Sequence, residues 1–438
     1  MRDSRNIAIF SLSRLISELG TSVFRFALSL YILDLTGSAS MFALVLSFTY
    51  IPGIFVNIFA GVFVDRSNKK RIMVITDILS GVSILLLMLM FQFYHDSIML
   101  FIVYAMVLST LQAFFMLAVN ASIPNIVAAD KVAAVNSSNQ SIGALISILG
   151  PVIGAVAYSK FGLEKIFLLD GISFILSGFL NMLLIFTVRK EHLGAQKPYL
   201  DSLKEVYSYI KQRTAIKYLL TIFVIINFII GPAISLILPF IVYQALKMSP
   251  EQLSFIEAAL AVGVIVGALL VSIPKINKFI TNKIFILIQL QALMIMLWMF
   301  PKWPIIDTNV HIVIMVGYMI VLALTGVFNT MGNIPMLSYV QIYIPEHMRA
   351  SILGVVSTVT TIAVPIGMWI YGAALEVVDW SYITVISGAC LLIVGIIAHR
   401  NHDLREFFNQ TIEPETVRAP GVREADMYKA KVTMKSEN

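Results

Sequence analysis

The sequence predicts an all-α, polytopic membrane protein of twelve transmembrane helices arranged as two pseudo-symmetric six-helix bundles. Three observations carry that prediction. The 438 residues are 58% hydrophobic and 13% charged, where soluble domains carry about 25% charged residues. The apolar stretches run unbroken for the ~20 residues a helix needs to cross a bilayer, without the alternation of an outer-membrane barrel. A charged segment at 188–216 divides these stretches into two groups of six. Apolar content this high also excludes a disordered chain, because it would collapse.

Hydropathy places the spans at 8–33, 41–64, 71–93, 98–121, 139–159, 166–187, 217–243, 252–273, 283–300, 309–336, 351–375 and 381–399. The chain runs from Met-Arg-Asp-Ser-Arg straight into the first span. No small-residue cleavage site stands out, so this span is read as a retained helix. A short turn from Asp34 to Ser40 leads into the second span. The domains are expected at 1–187 and 217–400, joined by a cytoplasmic linker over 188–216. Within the linker, Leu203, Val206, Tyr207 and Ile210 have the spacing of an amphipathic helix on the membrane surface. Residues 401–438 turn polar, with Pro414 and Pro420, and read as a mobile cytoplasmic tail. A faint repeat supports the division. Ser137 and Pro151 in the fifth span match Ser351 and Pro365 in the eleventh, with Pro124 and Pro345 before them.

Charge sets the orientation. With the N-terminus inside, inner segments hold 25 of the 31 Lys and Arg, outer loops hold 4, and Arg14 and Arg25 lie within the first span. That asymmetry predicts both termini in the cytoplasm and a cell (inner or plasma) membrane location. The net charge of +6 is then an orientation signal and not a nucleic-acid surface. Cys390 is the single cysteine, which excludes an intrachain disulfide. The six His make no metal site, since the one close pair, His399 and His402, reads as marking the end of the last helix, so neither metal nor cofactor is expected. No phosphate-cradling glycine loop with Lys and Ser/Thr occurs, so ATP-driven pumping has no support. No soluble catalytic constellation emerges either, and the chain does not read as an enzyme. The expected partners are membrane lipid, a small-molecule substrate and protons, with the chain acting as a monomer.

The sharpest motif closes the second span: Gly61, Asp65, Arg66, Lys69 and Lys70, followed by Arg71. Gly61 allows close helix contact. Asp65 at a helix C-terminus is disfavoured by the macrodipole and needs a partner from another helix. The basic cluster favours an anionic inner leaflet. An ordinary positive-inside loop explains the cations but not the glycine and aspartate. This run resembles the loop between helices two and three of the major facilitator superfamily, G-x-x-x-D-R-x-x-K/R-K/R. The resemblance implies that Asp65 and Arg66 gate the cytoplasmic side. A second copy expected between spans eight and nine is degraded, since Pro274 to Lys278 lacks the Asp-Arg pair.

The fifth span holds Gly143, Gly150, Pro151, Gly154 and Ala155. Proline bends a helix and small residues admit a close neighbour, so a kinked packing helix explains the run. It also resembles the antiporter motif of drug-exporting facilitators, ending G-P-x-x-G-G, with Ala155 at the last position. Smaller echoes resemble the macrolide-efflux branch of the drug:proton antiporters: Thr36 to Ala39, Gln112 to Phe114, Ala121 to Pro124, Val135-Asn136 and Ser173-Phe174. The resemblance covers all twelve spans and implies export.

Charges at lipid depth are functional-site candidates. Arg14, Glu18 and Arg25 lie on one face of the first span at ~100° per residue. Glu18 is nearest its middle. The cost of burial set against the pull of Arg14 would let it take up and release a proton, and a static Arg14–Glu18 ion pair is the competing reading. Asp77 supports the gate around Asp65, and Arg349 precedes span eleven as a further gate residue. Asp170 and Glu257 sit near the outer ends of spans six and eight. The cavity candidates are Gln112, Phe115, Asn120, Asn227, Glu257 and Asn329. The 21 Met and 28 Phe suit an adaptable cavity or plain lipid contact. The expected function is export of amphipathic or hydrophobic small molecules by proton antiport. Export of a siderophore or lipid, or a non-transporting sensor or scaffold, are the alternatives.

Overall fold

The computed structural model describes residues 2–60, 63–64, 67–128, 131–186, 199–281, 283–306, 310–344 and 346–409. Among them every regular element is a helix: α1 Arg2–Thr36, α2 Ala39–Phe48, α3 Ile51–Phe59, α4 Lys69–Tyr94, α5 Ile98–Ile126 and α6 Val132–Met182 form the first half. The linker helix α7 is Tyr199–Gln212. The second half holds α8 Thr214–Pro232, α9 Pro250–Ser272, α10 Pro274–Thr281, α11 Ile284–Met296, α12 His311–Tyr343, α13 Glu346–Val377, α14 Trp380–Arg400 and a short α15 His402–Asn409.

Eleven of the helices are long and apolar enough to cross a membrane. One of them, over Val135–Met182, is 48 residues long. At 1.5 Å per residue it would reach ~70 Å, about twice the hydrocarbon core. Gly162 breaks it with φ 73° and ψ 173°, a left-handed conformation that a side chain would strain. The result is two limbs and twelve passages, as the hydropathy predicts.

Local chemistry sets the helix ends. Ser38 caps α2 by accepting from the Met41 amide at 3.2 Å, and Asn68 caps α4 by accepting from the Arg71 amide at 3.1 Å. Ser249 and Gln252 form a reciprocal capping box at the start of α9, with Pro250 in its first turn. The second span is two helices, α2 and α3, with Pro52 in the first turn of α3. Beyond α8 the seventh span continues as π-helical turns at Ala233–Ile237 and Phe240–Ala245. Pro232 and Pro239 precede these turns and cannot donate to the helical ladder.

Twelve passages put Arg2 and α15 at the same end of the molecule, the near end. Apolar packing differs between the ends. At the far end one core joins both halves: Leu28, Leu33 and Phe42 pack in the same cluster as Leu236, Ile241 and Met368. At the near end the cores are separate. Phe10, Met73, Phe115 and Val119 belong to one, and Leu219, Ile288, Met336 and Leu391 to another.

Two segments differ from expectation. In α7, Val206 is buried in the core of the second half while Tyr207 is 68% exposed. The apolar face of the linker helix therefore turns onto the protein. The start of the tail is not loose: Leu404, Phe407 and Phe408 of α15 are buried in that same core, and the Phe408 ring lies 5.6 Å from that of Phe285. Residues 410–438 lie outside the described residues.

Candidate functional site

The first half buries an unusual number of charges. Arg14 in α1 is 4% exposed and forms an ion pair with Glu18, one turn on. Its Nε donates to Asn139 Oδ1 at 3.2 Å, and its Nη1 lies 3.1 Å from Met116 Sδ. The guanidinium stands 5.9 Å from the Phe115 ring centroid. Arg14 thus ties the first span to the fourth and fifth, and Glu18, half-buried, is held at the centre of that tie.

Asp77 in α4 is fully buried. Its Oδ2 accepts from Ser177 Oγ at 2.6 Å and from Asn181 Nδ2 at 2.9 Å. Asn181 Oδ1 in turn accepts from Ser13 Oγ at 3.0 Å. This chain joins spans one, three and six through buried hydrogen bonds, two of them ending on the Asp77 carboxyl. Asp170 is also buried, and Gly20 packs against it so closely that a Cβ there would stand 2.5 Å from Asp170 Oδ1. Nearer the end, Asn6 Nδ2 donates to the carbonyls of Ile126 and Ile185 at 2.7 and 2.8 Å.

The motif residues separate by position. Gly150 and Gly154 press the fifth span onto the first. A Cβ at Gly150 would meet Ser22 Oγ at 2.0 Å, and one at Gly154 would meet Phe26 Cβ at 3.2 Å. Pro151 is buried beside them. Gly143 faces open space, with nothing within 4 Å of a Cβ. Of the gate candidates, Gly61, Asp65 and Arg66 lie outside the described residues, as does the side chain of Arg349. Lys69 opens α4, and Lys70 Nζ donates to the Leu184 carbonyl at 2.9 Å, neutralising the end of the sixth span.

A cavity of about 280 Å³ opens between spans one, two and four, touched by Thr361 of span eleven. Phe24, Leu28, Ile32, Phe42 and Val45 form its apolar wall, and Arg25, Tyr50, Asn57 and Gln112 are polar residues on it. Of the sequence-derived cavity candidates, Gln112 alone lines this cavity. Phe115 is 1% exposed in the near-end core beneath Arg14. Asn120 is exposed on α5. Asn227 donates to its own helix at Phe223, and Asn329 accepts from Asn333 at 3.1 Å. Glu257 is half-buried on α9. Arg25, expected beside Glu18 in proton coupling, lines this cavity and is within electrostatic reach of Glu18. Sequence reasoning missed Tyr50 and Asn57, whose signal was their spacing seven residues apart along one helical face.

Polar bonds between the halves gather at the far end. Asp34 accepts from Tyr158 Oη at 2.6 Å and from Tyr243 Oη at 2.8 Å. Glu251 accepts from Ser159 Oγ at 2.6 Å. Glu376 accepts from Ser38 Oγ at 2.5 Å and the Ser40 amide at 3.0 Å. Trp369 Nε1 donates to Ser47 Oγ at 2.6 Å, where Gly372 lets the eleventh span approach Ala43.

Comparison with known proteins bears on all of this. A family model described as Major Facilitator Superfamily matches residues 10–368. The chain is 21% identical over 405 residues to macrolide efflux protein A of Streptococcus pyogenes, covering 89% of this chain and 94% of that one. It is 25% identical over 426 residues to the multidrug efflux pump Tap of Mycobacterium bovis, covering 93% and 96%. A shorter match, 29% over 179 residues, is to the uncharacterized MFS-type transporter YkuC of Bacillus subtilis. It spans 40% of this chain and 41% of that relative. Among solved structures, the nucleoside transporter NupG superposes with a TM-score of 0.70 at 14% identity, covering 89% of this chain and 98% of that one. That likeness establishes the fold.

Proposed function

The chain belongs to the Major Facilitator Superfamily, and from that premise we propose that it exports amphipathic or hydrophobic small molecules, drugs or antibiotics among them, by proton antiport. Two bundles, 1–187 and 217–400, rock about the central cavity, linked through 188–216. The membrane is the cell membrane, with both termini and the tail 401–438 on the cytoplasmic side, a placement supported by 25 of 31 Lys and Arg lying on that side.

The observation that carries the reading is the contrast between the two ends. Bonded bundles at the far end and separate cores at the near end correspond to one end state of an alternating-access cycle, facing the cytoplasm. Glu18 is the proton carrier in this scheme. Its partner Arg14 is anchored from two other spans, so a shift between spans changes how well the pair is held. The efflux names of the full-length relatives support export over uptake. In the same scheme Gly61, Asp65, Arg66, Lys69, Lys70, Asp77 and Arg349 serve the cytoplasmic gate, and Gly150, Pro151 and Gly154 form the pivot between spans one and five.

Substrate-dependent proton flux in proteoliposomes of the full chain, screened over dyes and antibiotics, tests the reading. Proton movement with at least one compound, absent in Glu18→Gln, is expected. A folded protein that moves no proton with any of them overturns it.

A further inference from the structure

The polar side chains of the cavity carry a sign. Arg25 is the one charged residue among the described residues of its wall, and no carboxylate lines it. Arg25 is exposed to the cavity and makes no hydrogen bond or ion pair with a described residue. The nearby carboxylates, Glu18 and Asp170, act on Arg25 only at a distance and stand off the wall: Glu18 is paired with Arg14, and Asp170 is buried beside Gly20 and Ser173. Tyr50 Oη and the Gln112 amide line the same cavity and likewise have no hydrogen-bond partner among the described residues. With Asn57, four groups able to donate and without a hydrogen-bond partner among the described residues thus stand on a wall whose apolar part is formed by Phe24, Leu28, Phe42 and Val45.

A guanidinium at lipid depth is costly unless something neutralises it. Its planar fork pairs best with a carboxylate or sulfonate. The apolar wall supplies the complement for a hydrocarbon or aromatic body. A volume of about 280 Å³ lies at the small end of ligand sites.

Resting on the export reading and narrowing its substrate class, we propose that this cavity binds small amphipathic molecules bearing an anionic group, which Arg25 receives while Tyr50 and Gln112 donate beside it. The site discriminates against amines of the same size, because a cation entering it meets Arg25 on a wall that itself carries no carboxylate.

Equilibrium dialysis of the full chain in phosphatidylcholine nanodiscs tests this with two probes, naphthaleneacetate and naphthylethylamine. They share an apolar body and differ in sign. The expected result is a preference for the acetate of about tenfold over the amine, after subtraction of empty discs. Arg25→Gln is expected to abolish the preference, Arg25→Lys to keep its direction with weaker affinity, and Arg25→Glu to reverse it. Thermal unfolding in the same discs reports whether each variant is folded. Equal binding of both probes by the unmodified chain overturns the proposal without recourse to any variant, as does a folded Arg25→Gln with its preference intact. Proton flux is read separately. Acetate binding without coupled flux removes the antiport reading and leaves this one standing. Flux without discrimination by sign does the reverse.

Discussion

Arg14, Asp77 and Asp170 are buried in the first six spans, whereas the buried polar side chains described in the last six are uncharged: Ser254, Gln291, Thr325, Thr330, Ser381, Thr384 and Ser387. The second half still packs as tightly. A Cβ at Gly263 would stand 2.0 Å from the Ala323 carbonyl, so α9 and α12 meet backbone to backbone. Two bundles of like architecture therefore differ in what they bury. Shape alone suffices for rocking, but coupling to an ion needs a group that changes charge; among the described residues Asp77 and Asp170 are buried and Glu18 half-buried in the first half, against a half-buried Glu257 in the second. The degraded loop motif at Pro274 to Lys278 follows the same asymmetry.

Six substitutions break or sharpen that contrast. The largest effect is expected from Glu18→Gln, which should lower gradient-driven export by more than about tenfold with membrane expression near normal. Unchanged export would take Glu18 out of the mechanism. Next, Gly150→Val drives a side chain into Ser22 and should cost about 1–3 kcal/mol, read as a fall in thermal stability in detergent. Gly143→Ala, facing open space, should cost nothing and serves as the matched control. Asp77→Ala strips Ser177 and Asn181 of their shared acceptor and should lose about 1–3 kcal/mol. Melting at the parent temperature would show the network to be dispensable.

Smaller effects test the second half. Glu257→Gln should change coupled flux less than about twofold, and a loss as large as that of Glu18→Gln would place a proton site in both halves. Smallest of all is Asp379→Asn. Asp379 lies between spans, where partial burial raises its carboxyl. Hydrogen bonds from Ser381 and the ammonium of Lys302, 2.9 Å away, outweigh that and hold it below its ordinary value of 3.8. Its contribution to stability is present above pH 3.8 and fades as the pH falls through the lowered value. An exposed pair is worth under ~1 kcal/mol. The melting difference between parent and variant should thus be slight at neutral pH and vanish in acid.

Most of the architecture was legible in the sequence because a bilayer imposes one length on every crossing. The expected start at 98 is where α5 begins, and 252–273 became Pro250–Ser272. The break between spans five and six was legible from length, and Gly162 supplies it. The cavity was far less legible. In a soluble helix, polarity marks the outside, but here lipid and core are equally apolar, so periodicity does not say which face turns inward. Phe115 and Asn329 looked like cavity residues on chemistry alone, yet one fills a core and the other bonds its own helix. Charges were the exception. A charged group cannot face acyl chains cheaply, so Arg14, Glu18 and Asp77 could be placed in the interior before any fold was known. The apolar side of α15 was missed because its eight residues fall below the length at which hydropathy speaks.

The far-end bonds have a consequence for turnover. Each runs from a hydroxyl, amide or indole to a carboxylate or hydroxyl, at Asp34, Glu251, Glu376 and Ser47; among the described residues none pairs a cation with an anion across the seam. Unzipping them hands every acceptor to water at a net loss of about 1.5–3 kcal/mol for each bond to a carboxylate and about 1 kcal/mol for the Trp369–Ser47 bond, and among the described residues no opposite charges have to be pulled apart. A seam of that kind shuts firmly yet parts bond by bond as water takes each acceptor, the property a carrier needs if it is to reset many times a second.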